Sequence, residues 1–411
     1  MTSIVNTSLS SEANIEHDAV LDADIQFTQP LSQYALNPQA VFLTGATGLL
    51  GVYLLDELLR QSQAEIFCLV RAIDEDFARQ RLVSHLQSYG LWKPEYASRI
   101  FPVIGDLTEP QFGLDDALYQ QLAETVDVIY YSAGWINMLY PYSRLKPANV
   151  LGVKEALRFA GLVQTKPLHF VSSIAVFFND IHPEDKVLKE TDIPIYHTSL
   201  KGGYGKSKWV GDRLVASAQE RGLPATIHRP TRIMGHSQTG ALNDNSELLP
   251  QLLKGCIKLG KYPAWDIEVT MVPVDYISRT MVHLAASPEN FKKAFHYFNA
   301  YPIRWLDLMS LVQAQGYRLT EIPYEQWIDE LKQRIDSQDE QYSGDKEFYS
   351  RLLLALKVPH YLFYKRPRFD SKNIEAGVQG TNIQCHKIDE ELISNYLHYW
   401  QKSGFCPKPD Q

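Results

Sequence analysis

Cysteine is scarce in this chain. Among 411 residues there are four, Cys68, Cys256, Cys385 and Cys406, far apart and with no C-x-x-C pair. That spacing argues against a disulfide framework or a structural zinc site and points to a reducing, cytoplasmic setting; no metal ligand set is expected. No stretch approaches the roughly 18 apolar residues of a spanning helix, so no membrane partner is expected. Met1–Ser10 shows no basic residue followed by an apolar run, so no secretory signal is visible. Positive charge is not in excess: 40 Lys and Arg stand against 48 Asp and Glu, a formal net charge of −8. That balance argues against nucleic-acid and anionic-membrane partners. Internal repeats and low-complexity tracts are also missing. What remains is a hydrophobic content of 45% with 21% charged residues, the range of a soluble globular protein. The length suits two domains, or one large domain with an appendage.

Residues 1–38 are rich in Ser, Asn and Asp and read as a flexible lead and N-terminal extension, partly laid over the body. From residue 39 short apolar runs alternate with helical periodicity. The runs are Val41–Thr44, Ile66–Val70, Ile100–Ile104, Val126–Tyr131, Leu168–Val171 and Ala225–His228. Helical segments fall around Phe77–Tyr89, Leu114–Ala123, Tyr142–Val163 and Tyr204–Arg221. Continuous apolar runs separated by helices are the pattern of strands buried on both faces of a parallel sheet. The fold class is therefore α/β, a doubly wound parallel sheet over residues 39–234, with 267–300 returning to it. Residues 235–266 and 301–411 form a smaller, mostly helical C-terminal domain. Within it Trp265, Trp305 and Trp327 read as core or pocket wall.

Between the first run and the helix after it stands Thr44-Gly45-Ala46-Thr47-Gly48-Leu49-Leu50-Gly51. Gly45 permits a tight turn, Gly48 lets backbone approach a pyrophosphate, and Gly51 lets the helix pack close to the sheet. The helix amino terminus then offers unpaired N–H groups and a favourable dipole to the phosphates. No Gly-Lys-Ser/Thr follows, which excludes a P-loop. About 20 residues on, where an NAD enzyme usually presents an acid to the ribose, the second strand ends in Arg71. A guanidinium suits a 2′-phosphate, so the expected cofactor is NADPH, with Arg79 and Arg81 on the next helix as further clamps. Asp106, in Gly105-Asp106-Leu107, is placed to accept from the adenine amino group. Ser132-Ala133-Gly134 lets backbone pass close to the cofactor ribose.

Three Tyr-x-x-x-Lys pairs occur: Tyr142/Lys146, Tyr204/Lys208 and Tyr361/Lys365. Each puts a phenol and an ammonium one helical turn apart, and chain order decides between them. Only Tyr204/Lys208 follows the fifth strand and opens a helix leading to the sixth; the other two read as structural. The fifth strand runs into Val171-Ser172-Ser173-Ile174 at a carboxyl edge, where such sheets place ligands. Hydride transfer to a carbonyl leaves charge on its oxygen. A phenol, protonated at neutral pH, can donate to it. The Lys208 cation eases loss of that proton and can hold the nicotinamide ribose hydroxyls. The Ser173 hydroxyl supplies a second fixed donor.

With these residues in view the chain resembles the extended short-chain dehydrogenase/reductases of Rossmann fold. Within them it resembles the thioester reductase domains of nonribosomal peptide and polyketide synthases, related to those of carboxylic acid and α-aminoadipate reductases. The resemblance runs from about Ala19 to Pro409. It rests on Val41–Gly51, Cys68–Ala72, Gly105–Leu107, Asp127–Tyr130, Leu139–Ser143, Ala148–Gly152, Tyr204–Trp209, Gly235–Gly240, Pro273–Tyr276 and Ser403–Phe405. It implies Ser173, Tyr204 and Lys208 as catalytic, Ser173 being favoured over Ser172 because it stands three residues before Val176. It further places Thr47, Leu49, Leu50, Leu107, Asn149, Pro230 and Thr231 with the glycines among the cofactor contacts. Two departures touch this region. Tyr131–Asn137 carries a bulky Trp135 beside the nicotinamide pocket, and the usual Arg-Pro-Gly is Arg229-Pro230-Thr231.

The implied reaction is NADPH-dependent reductive release of an acyl or peptidyl thioester from a carrier protein's phosphopantetheine arm. The product is an aldehyde, or after a second reduction the alcohol. A monomer is expected, with a tunnel between the domains and a carrier-docking gate in Gly240–Pro263, where Lys254 and Lys258 are candidate contacts. No carrier domain or Asp-Ser-Leu attachment motif is visible, so the expectation is a free-standing protein or an excised terminal domain. The alternatives are a sugar-nucleotide epimerase or dehydratase, expected to carry an acid at Arg71, and a redox-silent or cyclising relative, expected to lack Tyr204 or Lys208. His169 and His228 read as packing residues, and His236 as one that could face the substrate.

Overall fold

The computed structural model describes residues 15–183, 186–242, 247–337, 345–356 and 367–409. The pair Tyr361/Lys365 lies outside the described residues. The chain forms two compact units. The larger comprises Met1–Thr231, Tyr276–Phe298 and Arg366–Gln384; the smaller comprises Arg232–Asp275, Asn299–Lys365 and Cys385–Gln411.

The larger unit is built on a seven-stranded parallel sheet. Its strands are β1 (Ala40–Thr44), β2 (Glu65–Val70), β3 (Ile100–Ile104), β4 (Val128–Tyr131), β5 (Leu168–Val171), β6 (Ala225–Pro230) and β7 (Ala294–Tyr297), in the order β7-β6-β5-β4-β1-β2-β3. In register, Val41 of β1 faces Ile66 of β2 and Val128 of β4. Every residue of β1, β4, β5 and β6 is buried, which is why these strands read as unbroken apolar runs. Its helices include α1 (Leu49–Gln61), α2 (Glu75–Ser88), α3 (Asp116–Thr125), α4 (Tyr142–Lys146), α5 (Gly152–Gly161) and α6 (Gly202–Glu220). Strand order reverses between β1 and β4, so their carboxyl ends flank the crevice where such sheets take ligands.

Two expectations are corrected. Ile267–Val272 does not rejoin the sheet: Glu268–Val269 pairs antiparallel with Ile303–Arg304, and Val272–Pro273 pairs with Ile233–Met234, all in the smaller unit. Of the returning segment only Ala294–Tyr297 joins, parallel to β6. Residues 366–384, read as part of the C-terminal domain, belong to the larger unit. There Arg368–Phe369 pairs with Val187–Leu188, and the buried Glu190 carboxylate accepts from the N–H groups of His296 and Asn373. From Ile15 onward the N-terminal extension is fastened to the larger unit. Asp18 accepts from Tyr142 and Lys146, both at 2.7 Å, so the first Tyr-x-x-x-Lys pair is an anchor. Arg221 donates to the carbonyls of Leu21, Asp22 and Ile25, while Ile15, Leu21 and Ile25 are buried.

In the smaller unit, Trp265, Trp305 and Trp327 form a buried aromatic cluster. Trp305 and Trp327 donate their indole N–H groups to the carbonyls of Pro263 and Lys261. Helix α7 (Leu248–Leu259) ends at Gly260 in the left-handed region, φ 65°. Its lysines make contacts within the unit. Lys258 grips Asp345 at 2.6 Å, and the Lys254 ammonium lies over the rings of Phe348 and Phe405. His236 accepts from the N–H groups of Gln238 and Thr239, closing a turn rather than standing open.

Candidate active site

The glycine turn is shaped by close approach. Gly45 sits at φ +82°, and a Cβ on it would stand 2.8 Å from the Ala133 nitrogen. A Cβ on Gly51 would stand 1.8 Å from the Gly45 carbonyl oxygen, so α1 touches the turn backbone to backbone. Gly48 is the N-cap of α1 and leaves its first turn without a side-chain cap. Thr47 and Leu49 are half-buried on this turn, whereas the Leu50 side chain belongs to the core. Thr44 Oγ1 accepts from the Ala133 N–H at 3.1 Å, tying β1 to the Ser132-Ala133-Gly134 turn after β4.

At the end of β2 Arg71 is exposed, and Arg81 donates to its carbonyl, which brings both guanidinium-bearing residues to one edge. Arg79 turns away, to Glu75 and the Ile100 carbonyl, and is no clamp. A cavity of about 480 Å³ lined by Phe77, Gln80, Arg81, Ser84, His85 and Ser88 lies along α2. Asp106 Oδ1 closes a turn with the N–H and hydroxyl of Thr108. The Leu107 carbonyl would lie 2.9 Å from a Cβ on Gly152, so this loop packs on the start of α5.

Ser173 begins a one-turn 3-10 helix, Ile174–Phe177, as the chain leaves β5, and its hydroxyl accepts from the Ala175 N–H at 3.2 Å. Tyr204 and Lys208 lie on the first turns of α6 and are 7% and 5% exposed. Gly203 is required there, since a Cβ would meet the Tyr140 carbonyl oxygen at 2.3 Å. Lys208 Nζ donates to the Val171 carbonyl at 2.9 Å and lies 3.2 Å from where a Gly134 Cβ would be. Burial pushes Lys208 down to about 8, opposed by the charge of Asp212. Contact is therefore continuous from Gly45 to Ala133, from Gly134 to Lys208, and from Lys208 to the strand end that carries Ser173.

Asn149, expected at the cofactor, is bonded here to neighbouring protein groups. It sits in a π-turn, Pro147–Leu151, between α4 and α5, a departure common at functional sites. Its Oδ1 accepts from the Trp135 N–H, and its Nδ2 donates to the Trp135 carbonyl and to Ser207 Oγ. Both amide protons are used, so Asn149 locks the loop after Gly134 to α6. Trp135 itself is exposed, edge-on to Tyr140, with the Arg144 guanidinium over both rings. Pro230 ends β6 and is buried. Thr231 donates its N–H to the Tyr297 carbonyl, while its Oγ1 is buried without a partner.

Sequence reasoning missed the groups behind these residues. Asp212, fully buried, forms a two-pronged ion pair with Arg229 and accepts from Ser172. The signal was present in part: Asp212 is four residues after Lys208 on one helix face. Among the described residues no cluster could hold a metal ion, and no helix is long and apolar enough to cross a membrane. A dinucleotide fits what is present: a bare glycine cradle, an uncapped helix terminus and an orphaned buried hydroxyl.

A doubly wound parallel sheet with a glycine turn and a Tyr–Lys helix at its switch-point edge defines an oxidoreductase of the extended short-chain dehydrogenase/reductase class. Residues 43–281 match the NAD-binding family described as Male sterility protein, and the chain belongs to it. It is 37% identical to the terminal R domain from the myxalamid PKS-NRPS pathway, covering 97% of this chain and 99% of that one with a TM-score of 0.89. The reductase domain of a Mycobacterium tuberculosis nonribosomal peptide synthetase is 25% identical, at 95% and 98% coverage and a TM-score of 0.78. A linear gramicidin synthase of Brevibacillus parabrevis is 35% identical over 97% of this chain and 8% of its own length. For the L-2-aminoadipate reductase of Eremothecium gossypii, in its large chain, the figures are 35%, 90% and 28%. The chain thus spans less than a third of these curated relatives.

Proposed function

We propose that this chain catalyses NADPH-dependent reductive release of an acyl or peptidyl thioester from a carrier protein's phosphopantetheine arm. The observation that carries the reading is the unbroken contact from the glycine turn through Gly134 and Lys208 to the strand end before Ser173. Membership of the reductase family supports the reaction type. Arg71 and Arg81 at one edge support NADPH over NADH, because a guanidinium matches a phosphate in charge and geometry.

Bound in this site, the reduced nicotinamide supplies a hydride to the thioester carbon. Tyr204 donates a proton to the carbonyl oxygen as charge develops on it, and the Ser173 hydroxyl adds a second hydrogen bond. One such donor is typically worth about 10²–10³ in rate. Lys208, held by the Val171 carbonyl, keeps a cation beside the phenol. The resulting hemithioacetal loses its carbon–sulfur bond, its hydroxyl proton passing to sulfur. Thioester, NADPH and a proton thereby become aldehyde, thiol and NADP⁺; a second equivalent takes the aldehyde to the alcohol.

The test is incubation with an acyl thioester on a phosphopantetheinylated carrier, following NADPH absorbance and free thiol together. Equal rates of oxidation and thiol release, with aldehyde trapped by a hydrazine, are the expected result. Tight NADPH binding with neither would overturn the proposal.

A further inference from the structure

One carboxylate outside the Ser–Tyr–Lys set joins the elements that carry it. Asp212 lies on α6 one turn beyond Lys208. Its Oδ2 accepts from Ser172 Oγ at 2.7 Å and from Arg229 Nε at 2.8 Å, and its Oδ1 from Arg229 Nη2 at 2.8 Å. Ser172 immediately precedes Ser173. Arg229 lies on β6 just before Pro230 and Thr231. Its guanidinium carbon sits 5.1 Å from the Phe177 ring, at the end of the short turn that Ser173 opens. Its Nη1 reaches His296 Nε2 and the Asp192 carbonyl.

Stability alone does not account for this arrangement. A buried ion pair is often no more stable than apolar residues of the same volume, whereas it holds its members in a fixed geometry when every partner is satisfied. Both carboxylate oxygens are occupied here, and the third partner is the residue next to the expected oxyanion donor. We propose that Asp212, with Arg229 and Ser172, is a positioning set for the reduction: it fixes the direction of the Ser173 hydroxyl from behind. The proposal rests on the reductase reading above.

Ser172→Ala tests it with the ion pair intact. Because a misplacement of about 1 Å can cost ~10² in rate, kcat should fall about tenfold. NADPH affinity should stay unchanged, the unfolding midpoint should fall by no more than one lost buried hydrogen bond brings, and Ser172→Thr, which keeps the hydroxyl, should restore the rate. Combined with Ser173→Ala, Ser172→Ala should cost nothing further, since its effect runs through Ser173. Arg229→Lys, which keeps charge but loses the two-pronged geometry, should show the same dependence on Ser173. Wild-type kcat in Ser172→Ala, or an equal loss in both backgrounds, overturns the positioning role while leaving the reductase reading in place. Failure of the wild type to oxidise NADPH with a carrier-bound thioester overturns the reading beneath it.

Discussion

Ser172 and Ser173 are chemically identical neighbours with different surroundings. Strand alternation sends one hydroxyl into the buried Asp212 site, and the chain's exit from β5 leaves the other at the sheet edge. The same separation governs Lys208, whose depressed pKa of about 8 comes from burial. Below about 8 the ammonium persists; above it the neutral amine no longer supports the phenol. The log of kcat/KM should therefore fall with an alkaline midpoint near 8. A limb that begins only near the free lysine value of about 10.4 contradicts the assignment. Tyr204→Phe should lower kcat by roughly 10²–10⁴ with NADPH affinity nearly unchanged, measured by single turnover and cofactor titration. Tyr204 and Lys208 were legible because chain order selects one Tyr-x-x-x-Lys pair out of three, and Ser173 because it stands at the edge of the strand before them. Asp212 as a partner of Arg229 was not, because a pairing across 17 residues leaves no periodic trace.

At the scale of the element, the glycine turn is a statement about distances. Gly51→Ala pushes a Cβ to 1.8 Å from the Gly45 carbonyl oxygen, whereas at Gly48 the nearest atom stands at 3.3 Å. Gly51→Ala should then destabilise by at least the ~1–3 kcal/mol of an overpacked core and abolish cofactor binding. Gly48→Ala should do markedly less, and equal urea midpoints for the two variants would contradict this geometry. The long buried strands and their helices were readable from apolar runs and 3.6-residue spacing. Two-residue pairings such as Val187–Leu188 with Arg368–Phe369 were not, because so short a segment has no period. Nor was the π-turn at Asn149, where Pro147 interrupts an otherwise regular helical pattern.

For the molecule as a whole, cofactor binding links the glycine turn to the stability of the larger unit. A ligand present at 100 times its Kd adds about 2.7 kcal/mol to the state that binds it. NADPH should therefore raise the unfolding midpoint more than NADH at equal concentration. The double variant Arg71→Ala/Arg81→Ala should erase that difference, whereas an unchanged preference would place the 2′-phosphate elsewhere. Hydrogen exchange should slow at Gly45–Gly51, Gly105–Leu107 and Ser132–Gly134. The division into two units was visible in where the strand–helix rhythm stops. The return of residues 366–384 to the larger unit was not, since the buried Glu190 that receives them lies some 180 positions earlier, beyond any local pattern.

The measurement that reaches the centre of the chemistry follows the hydride itself. NADPH deuterated at the transferring position is mixed with the protein and a carrier-bound acyl thioester, and the released aldehyde is weighed by mass spectrometry. One deuterium on the aldehyde carbon is predicted for the wild type, with labelled product from Tyr204→Phe forming at least about a hundredfold more slowly. An unlabelled product, or labelled product from the phenylalanine variant at the wild-type rate, would contradict the chemistry assigned to this edge of the sheet.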